Sequence, residues 1–215
     1  MTLSMRDILR RAPVVPVIVI HDLAHAVPLA EALLAGGLPV LEVTLRTEAG
    51  LQAIEQMRRR VPEAIVGVGT LTSAAQIAAA RDAGAQFGVS PGLTAALAAS
   101  TRETDWPYLP GVLTPSELMR ARELGFDCCK LFPAQQAGGV DMLRAIYSVL
   151  PDMLICPTGG INAQTAARYL ALPNVPCVGG SWVAAPELMR AGDWQGIRQL
   201  AAEAAALRPL DSASP

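Results

Sequence analysis

One lysine is the first residue of this chain whose type and position could do chemistry. The 17 basic residues among 215 are sixteen arginines and a single lysine, Lys130, in the apolar stretch Cys128-Cys-Lys-Leu-Phe132. A buried charge is costly unless it is paired or used. Arginine would form an ion pair at least as well, whereas only lysine can lose its proton and attack a carbonyl. The sequence therefore favours imine chemistry at Lys130 over an ion-paired or snorkelling lysine.

A second polar set interrupts the predicted strand 40–45. Because strand side chains alternate, Glu42, Thr44 and Arg46 share one face, while leucine and valine side chains occupy the other. The apolar face must cover helices, so the polar face is predicted to point inward. The same argument turns Lys130 inward, where it could meet Glu42 and use that carboxyl group as a proton shuttle. A buried Glu42–Arg46 pair that only fixes packing is the alternative.

Paired glycines follow two later strands, in 157–162 (Pro-Thr-Gly-Gly-Ile-Asn) and 178–182 (Val-Gly-Gly-Ser-Trp). Glycines let the backbone approach an anion closely, and the corresponding loops of parallel barrels often bind phosphate. A lone Gly-Gly is usually just a turn, but two on consecutive strands favour a phosphate site. Thr70 ends the predicted strand 65–70 and Pro91 follows the predicted strand 87–90, so both lie at predicted strand C-termini, although simple strand termination would explain Pro91.

Short apolar runs alternate with alanine- and leucine-rich helical stretches along the whole chain. This pattern predicts parallel strands joined by helical crossovers, and about eight such units favour an α/β fold of the (β/α)8 TIM-barrel type. A doubly wound open sheet is the alternative. We expect a short N-terminal helix at 4–10, one barrel domain over 1–207 and a disordered tail at 208–215. The predicted strands are 14–20, 40–45, 65–70, 87–90, 108–112, 128–132, 154–158 and 177–181.

Charge and composition exclude several classes of protein. The net charge of −2 provides no basic field for nucleic acid or anionic lipid, and the longest uncharged stretches contain proline and glycine, so no membrane helix is expected. The four cysteines lie in apolar runs without metal-ligand spacing, which predicts reduced thiols, no metal and a cytoplasmic protein. His21 and His25 are predicted to have capping or surface roles.

The motifs together resemble those of the 2-keto-3-deoxy-6-phosphogluconate (KDPG) aldolase family, which also has 4-hydroxy-2-oxoglutarate (KHG) aldolase activity. The resemblance extends from about Val14 to Trp182 and the helix that follows. The matching stretches are Leu41-Glu-Val-Thr-Leu-Arg46, Gly67-Val-Gly-Thr70, Ser90-Pro-Gly92, Lys130-Leu-Phe-Pro-Ala134, Pro157-Thr-Gly-Gly-Ile161 and Gly179-Gly-Ser-Trp182.

This resemblance implies a class I aldolase that needs no cofactor or metal and forms a homotrimer. It implies Lys130 as the Schiff-base residue and Glu42 as the general acid/base. Its substrates would be a phosphorylated 2-keto-3-deoxy sugar acid and pyruvate. The implied substrate-binding residues are Arg46 and Thr70 for the pyruvate carboxylate, Gly159, Gly160, Gly180 and Ser181 for the phosphate, and Pro91, Phe132 and Thr158 for the walls.

Two residues depart from the family pattern, which often reads Lys-Phe-Phe-Pro-Ala-Glu. Leu131 should face the helices without consequence, whereas Gln135 makes the loop after the sixth predicted strand less acidic and could tune specificity. Two other functions remain open at this point. One is the sister aldolase for the galactonate epimer; the other is a phosphosugar isomerase or phosphate-binding barrel with a structural Lys130–Glu42 pair.

Overall fold

In a computed structural model, which describes residues 3–102 and 106–207, the chain is an α/β protein whose parallel strands alternate with helices. The predicted tail at 208–215 lies outside these residues. The strands are Val14–Ile18 (β1), Val40–Thr44 (β2), Ile65–Gly69 (β3), Gly88–Val89 (β4), Tyr108–Leu109 (β5), Gly111–Val112 (β6), Cys128–Leu131 (β7), Leu154–Pro157 (β8) and Val178–Gly180 (β9). The α-helices are Met5–Leu9 (α1), Ala26–Ala35 (α2), Gly50–Arg60 (α3), Ala74–Asp82 (α4), Ala95–Arg102 (α5), Pro115–Glu123 (α6), Gly139–Val149 (α7), Ala166–Leu170 (α8), Pro186–Ala191 (α9) and Trp194–Ala205 (α10), and two short 3-10 helices are Leu23–His25 (η1) and Trp182–Ala184 (η2).

All strand pairs are parallel, as the alternation predicts. One sheet has the order β5-β4-β3-β2-β1-β9 and the other has the order β6-β7-β8. The predicted strand 108–112 is divided at Pro110, because proline has no N–H to give to a ladder. The strand order advances without the reversal that defines a doubly wound sheet, so that alternative is not supported.

Two apolar clusters occupy the two faces of the strands. Leu41 and Val43 belong to the larger cluster, which the crossover helices cover, while Val40 belongs to the smaller one. The smaller cluster gathers side chains from several strands, together with the buried Met5 and Ile8 of α1. The predicted alternation of β2 is therefore observed, and α1 packs with the smaller cluster, on the face of the strands opposite the larger one.

Helix α6 begins with the capping box that its sequence predicts. Thr114 accepts a hydrogen bond from the backbone N–H of Glu117, and the Glu117 carboxylate accepts from the N–H groups of Thr114 and Leu113, with Pro115 at the first helical position. The Leu113 N–H is the main reason why the pKa of Glu117 lies below its ordinary value. The cap fixes where α6 starts, directly after β6.

The four cysteines are free and buried, as expected from their apolar surroundings. Sγ of Cys177 lies 3.7 Å from Sγ of Cys156, and burial raises the pKa of Cys129 to about 12. Protonated thiols of this kind behave as small apolar side chains. Over residues 3–102 and 106–207, no helix has the length and apolar character needed to span a bilayer.

Candidate active site

Lys130 and Glu42 form a buried ion pair between strands β7 and β2. Nζ of Lys130 donates a hydrogen bond to Oε1 of Glu42 over 3.1 Å, and the two side chains are only 6% and 4% exposed. The same Nζ lies 5.5 Å from the centre of the Phe132 ring. The expected meeting of Lys130 and Glu42 is therefore found. The alternative Glu42–Arg46 pair is not formed, because the partner of Glu42 is the lysine.

Strand register holds both members of this pair in place. Glu42 lies opposite Val17 of β1 and Gly67 of β3, and Lys130 lies opposite Gly111 of β6. The Lys130 N–H also donates to the carbonyl of Pro110 over 2.8 Å. Backbone ladders on both sides of each residue leave the two side chains few ways to move apart.

Gly69 makes room for the Glu42 carboxylate. A Cβ atom at position 69 would overlap the Glu42 side chain, including Oε1, the oxygen that accepts from Lys130. Real side chains do not tolerate such an approach, so any residue larger than glycine would displace the carboxylate. The alternating glycines of 65–69 are the sequence signal for this close packing.

We expect the Gly69→Ala variant to fold with reduced stability and to lose most of its activity, because the new methyl group pushes Glu42 away from Lys130. Overpacking of this kind costs about 1–3 kcal/mol. Urea unfolding and steady-state kinetics test this. Gly92→Ala is the matched control for stability, because a Cβ there meets no atom within 4 Å. Equal unfolding midpoints for the two variants would contradict the expectation.

Thr70 directly follows β3 in a strained backbone conformation. Its φ of 65° is positive, and within the described residues it is the one non-glycine residue of this kind. A β-branched residue adopts this region at a cost, and such strain concentrates at functional sites. The structure therefore singles out Thr70 at the carboxyl end of β3, independently of its sequence motif.

Pro91 is held beside the strand that pairs with Lys130. The buried Ser90 hydroxyl donates to the carbonyl of Gly92 over 2.7 Å, which closes a tight turn around Pro91. The backbone of Pro91 lies against Gly111, the residue opposite Lys130 in the register of β6 and β7. Pro91 is thus placed next to the backbone position that pairs with Lys130.

The loop after β8 doubles back against the loop after β7. Gly159 and Gly160 have φ values of 102° and 76°, which favour glycine, and Gly159 packs on Pro133. The Gln135 N–H donates to the Gly159 carbonyl over 3.0 Å, while the Gln135 side chain accepts from the Tyr169 hydroxyl over 3.0 Å. The backbone of residue 135 therefore supports the paired glycines, while the glutamine side chain, which departs from the family pattern, is bound by Tyr169.

Thr158 and Gly180 stand at the start of the two glycine loops. Thr158 follows β8, is buried, and pairs with Gly179 of β9 in an isolated parallel bridge. Gly180 is the last residue of β9 and packs beside the Trp182 ring. This bridge brings the carboxyl ends of β8 and β9, and hence both glycine pairs, to the same edge of the strands.

A cavity of about 770 Å³ opens beside these strand ends. Arg46 and Ser181 both line it, together with Val17, which lies opposite Glu42 in the register of β1 and β2. Both polar side chains are exposed. Arg46 and Ser181 therefore face the same cavity, and Val17, which also lines it, is the register neighbour of Glu42.

The cavity also includes residues that the sequence motifs did not indicate. His21, His25 and Arg190 line it. Of the predicted capping or surface roles, His21 is exposed, whereas His25 occupies the N-cap position of α2 without a side-chain cap hydrogen bond and lies edge-on to Trp194 with ring centres 5.4 Å apart. Arg190 carried no sequence signal, because its position in the cavity depends on how α9 folds back after β9.

These residues provide an amine and a carboxylate in apolar surroundings, with cationic and glycine-rich elements at the neighbouring strand ends. Lys130 and Glu42 can combine nucleophilic attack with proton transfer. Among the described residues, no group of three or more His, Cys, Asp or Glu side chains could hold a metal ion. The arrangement is suited to covalent chemistry on a small anionic carbonyl compound.

Comparison with known proteins agrees with the chemistry that the site suggests. The KHG/KDPG aldolase of Escherichia coli K12 is 49% identical over 94% of both chains. The structure of KDPG aldolase from Legionella pneumophila, with pyruvate captured as a covalent carbinolamine, is 42% identical, covers 95% of this chain and 100% of its own, and has a TM-score of 0.93. The structure of the Zymomonas mobilis ZM4 aldolase with 3-phosphoglycerate is 45% identical, covers 98% of this chain and 99% of its own, and has a TM-score of 0.91.

The family model for KDPG and KHG aldolases matches residues 5–200, a range that contains β1 to β9 and every site residue described above. Sequence, fold and the Lys130–Glu42 pair agree, and the chain belongs to the KDPG and KHG aldolase family, a family of lyases.

Proposed function

We propose that this chain is a class I aldolase that cleaves KDPG to pyruvate and glyceraldehyde 3-phosphate, and KHG to pyruvate and glyoxylate. The observation that carries the proposal is the buried Lys130–Glu42 pair, 3.1 Å apart, near the carboxyl ends of parallel strands. The pyruvate carbinolamine of the Legionella relative, an adduct of an amine with a ketone, supports it.

The reaction begins at the substrate ketone. Nζ of Lys130, after passing its proton to Glu42, attacks C2, and the ketone oxygen takes up a proton to give a carbinolamine. Loss of that oxygen as water, with a proton relayed from Glu42, leaves a cationic iminium between Nζ and C2. The Phe132 ring beside Nζ favours the cation at short range and excludes bulk water.

Carbon–carbon cleavage follows from the charge on the iminium. Glu42, directly or through one water, removes the proton from the C4 hydroxyl, and the C3–C4 bond breaks as its electron pair moves into an enamine. The departing aldehyde is glyceraldehyde 3-phosphate for KDPG and glyoxylate for KHG. Protonation of C3 and hydrolysis of the resulting pyruvate iminium return Lys130 as a free amine.

Arg46 and Thr70 bind the carboxylate of the pyruvate portion in this proposal. Arg46 follows β2 and lines the cavity, and an arginine recognises a carboxylate through two parallel hydrogen bonds. The strained backbone of Thr70 presents a hydroxyl at the end of β3. Pro91, Phe132 and Thr158 form the walls of the site.

The glycine loops bind the substrate phosphate in this proposal. Gly159 and Gly160 follow β8, Gly180 ends β9 and Ser181 comes directly after it. The Thr158–Gly179 bridge keeps the two loops adjacent. Backbone N–H groups without side chains around them are well suited to a phosphate. Phosphate bound far from the reacting bond helps to orient that bond. The 3-phosphoglycerate in the Zymomonas relative supports this assignment.

We also infer that the two sheets close into one (β/α)8 barrel spanning a single domain, 1–207. The Thr158–Gly179 bridge joins β8 to β9, and β5 and β6 are a single strand interrupted at Pro110, so eight strands complete the circuit.

The family resemblance supports a homotrimer. Four reduced cysteines and a phosphorylated substrate support a cytoplasmic location.

Borohydride trapping tests this function. Incubation with pyruvate and sodium borohydride is expected to add a stable pyruvate-derived group to Lys130, identified by peptide mass spectrometry, because borohydride reduces the iminium to a secondary amine. A modified peptide elsewhere, or none at all, would favour the isomerase or binding alternatives.

Turnover of the gluconate and galactonate epimers then separates the two sister aldolases, and we expect the gluconate epimer to react faster.

A further inference from the structure

The cavity beside the active site has an uneven charge. Two arginines line it, Arg46 and Arg190, against a single carboxylate, Asp22. That carboxylate is already engaged, since Oδ1 accepts from the Ala24 N–H over 2.9 Å and Oδ2 lies 3.9 Å from Nε2 of His25. A cleft of this kind attracts an anion.

Arg190 reaches the cavity because of the geometry of α9. Pro186, Met189 and Arg190 line the cavity and lie three and four positions apart, so they share one helix face. Glu187 lies on an adjacent face and accepts a hydrogen bond from the Arg190 guanidinium over 3.4 Å. Both side chains of this pair are about three-quarters exposed, at 73% and 75%, so the pair holds the arginine only weakly.

The proposed phosphate ligands leave a charge to be balanced. Ser181 and the glycine N–H groups are neutral donors, whereas a phosphate monoester carries nearly two negative charges near pH 7. Arg46 is assigned to the carboxylate at the other end of the substrate. Arg190 is the second arginine that lines the same cavity as Ser181. A guanidinium group can donate two parallel hydrogen bonds to two oxygens of one phosphate.

We propose that Arg190 is a specificity-determining residue that binds the substrate phosphate together with Ser181 and thereby favours KDPG over KHG. This inference rests on the proposed aldolase function. The second carboxylate of KHG is attached directly to C4, three bonds short of the phosphorus atom of KDPG. A residue that contacts only the phosphate therefore affects one substrate and leaves the other unchanged.

Three variants separate this role from a structural one. Arg190→Gln is expected to lower kcat/KM for KDPG roughly tenfold, mainly through KM, and to change KHG turnover less than about twofold. Glu187→Gln breaks the same surface pair and frees the arginine, so kcat/KM for KDPG should stay equal or rise. Arg144→Gln removes the matched exposed arginine of the Asp141–Arg144 pair on α7 and should leave kcat/KM unchanged for both substrates.

Inorganic phosphate gives an independent readout. As a competitive inhibitor against KDPG, it should bind about tenfold more weakly to Arg190→Gln than to the unchanged enzyme. Equal phosphate inhibition constants, equal loss on both substrates, or parallel losses in Glu187→Gln would overturn the role of Arg190. Borohydride trapping with pyruvate needs no phosphate, so Arg190→Gln should trap normally. Failure of trapping in the unchanged enzyme would instead refute the proposed function.

Discussion

Lys130→Arg is expected to remove aldolase activity almost entirely, lowering kcat by roughly 10⁴- to 10⁶-fold, as loss of a covalent nucleophile does in other enzymes. The guanidinium keeps a positive charge opposite Glu42, so the ion pair can persist. It cannot form an imine, because it does not lose its proton near neutral pH. Steady-state cleavage of KDPG, coupled to a pyruvate assay, provides the measurement.

The arginine variant distinguishes charge from chemistry. If Lys130 served only as the cation of a structural pair, Lys130→Arg would retain most of its activity. Circular dichroism and the unfolding midpoint should resemble those of the unchanged protein, which separates a lost nucleophile from a lost fold. Substantial activity in a well-folded Lys130→Arg protein would end the imine hypothesis.

A double-mutant cycle on the same pair should show strong coupling in stability. Lys130→Met leaves Glu42 buried without its partner, and Glu42→Leu leaves Lys130 in the same condition, so each single change should cost about 3–5 kcal/mol. With both charges removed, Lys130→Met/Glu42→Leu should recover to within about 1–2 kcal/mol of the unchanged protein. Urea unfolding at one fixed protein concentration gives all four stabilities.

An exposed pair gives the reference for this cycle. Arg6 and Asp127 also form a hydrogen-bonded ion pair, 2.9 Å apart, but their side chains are 33% and 60% exposed. Arg6→Met should therefore cost less than about 1 kcal/mol. Simple addition of the two single losses in the Lys130/Glu42 double variant would show that the buried charges do not stabilise each other.

Local sequence was sufficient to orient the main reacting groups. The inward direction of Glu42 followed from the two-residue period of β2, since Leu41 and Val43 had to face the helices. The same period turned Lys130 inward. Parallel strands with helical crossovers followed from the alternating pattern, and the start of α6 followed from its capping box. These features depend on residues close together in the chain.

Other features became visible only in three dimensions. The alternating glycines of 65–69 indicate a close approach, but only the structure shows that the Glu42 carboxylate, from another strand, occupies the space beside Gly69. Pro110 divides a strand that composition predicts as continuous, and Thr70 adopts a positive φ that no local pattern indicates.

The sequence by itself determined the alternating α/β elements, the inward lysine and carboxylate, and the motifs of an aldolase family. Only the tertiary structure decided that Lys130 and Glu42 lie 3.1 Å apart and that Arg190 shares a cavity with Ser181. The physical reason is the distance along the sequence over which each interaction acts. Hydrophobic periodicity and helix capping depend on residues a few positions apart, whereas strand register and the return of α9 bring together residues that are far apart in the sequence.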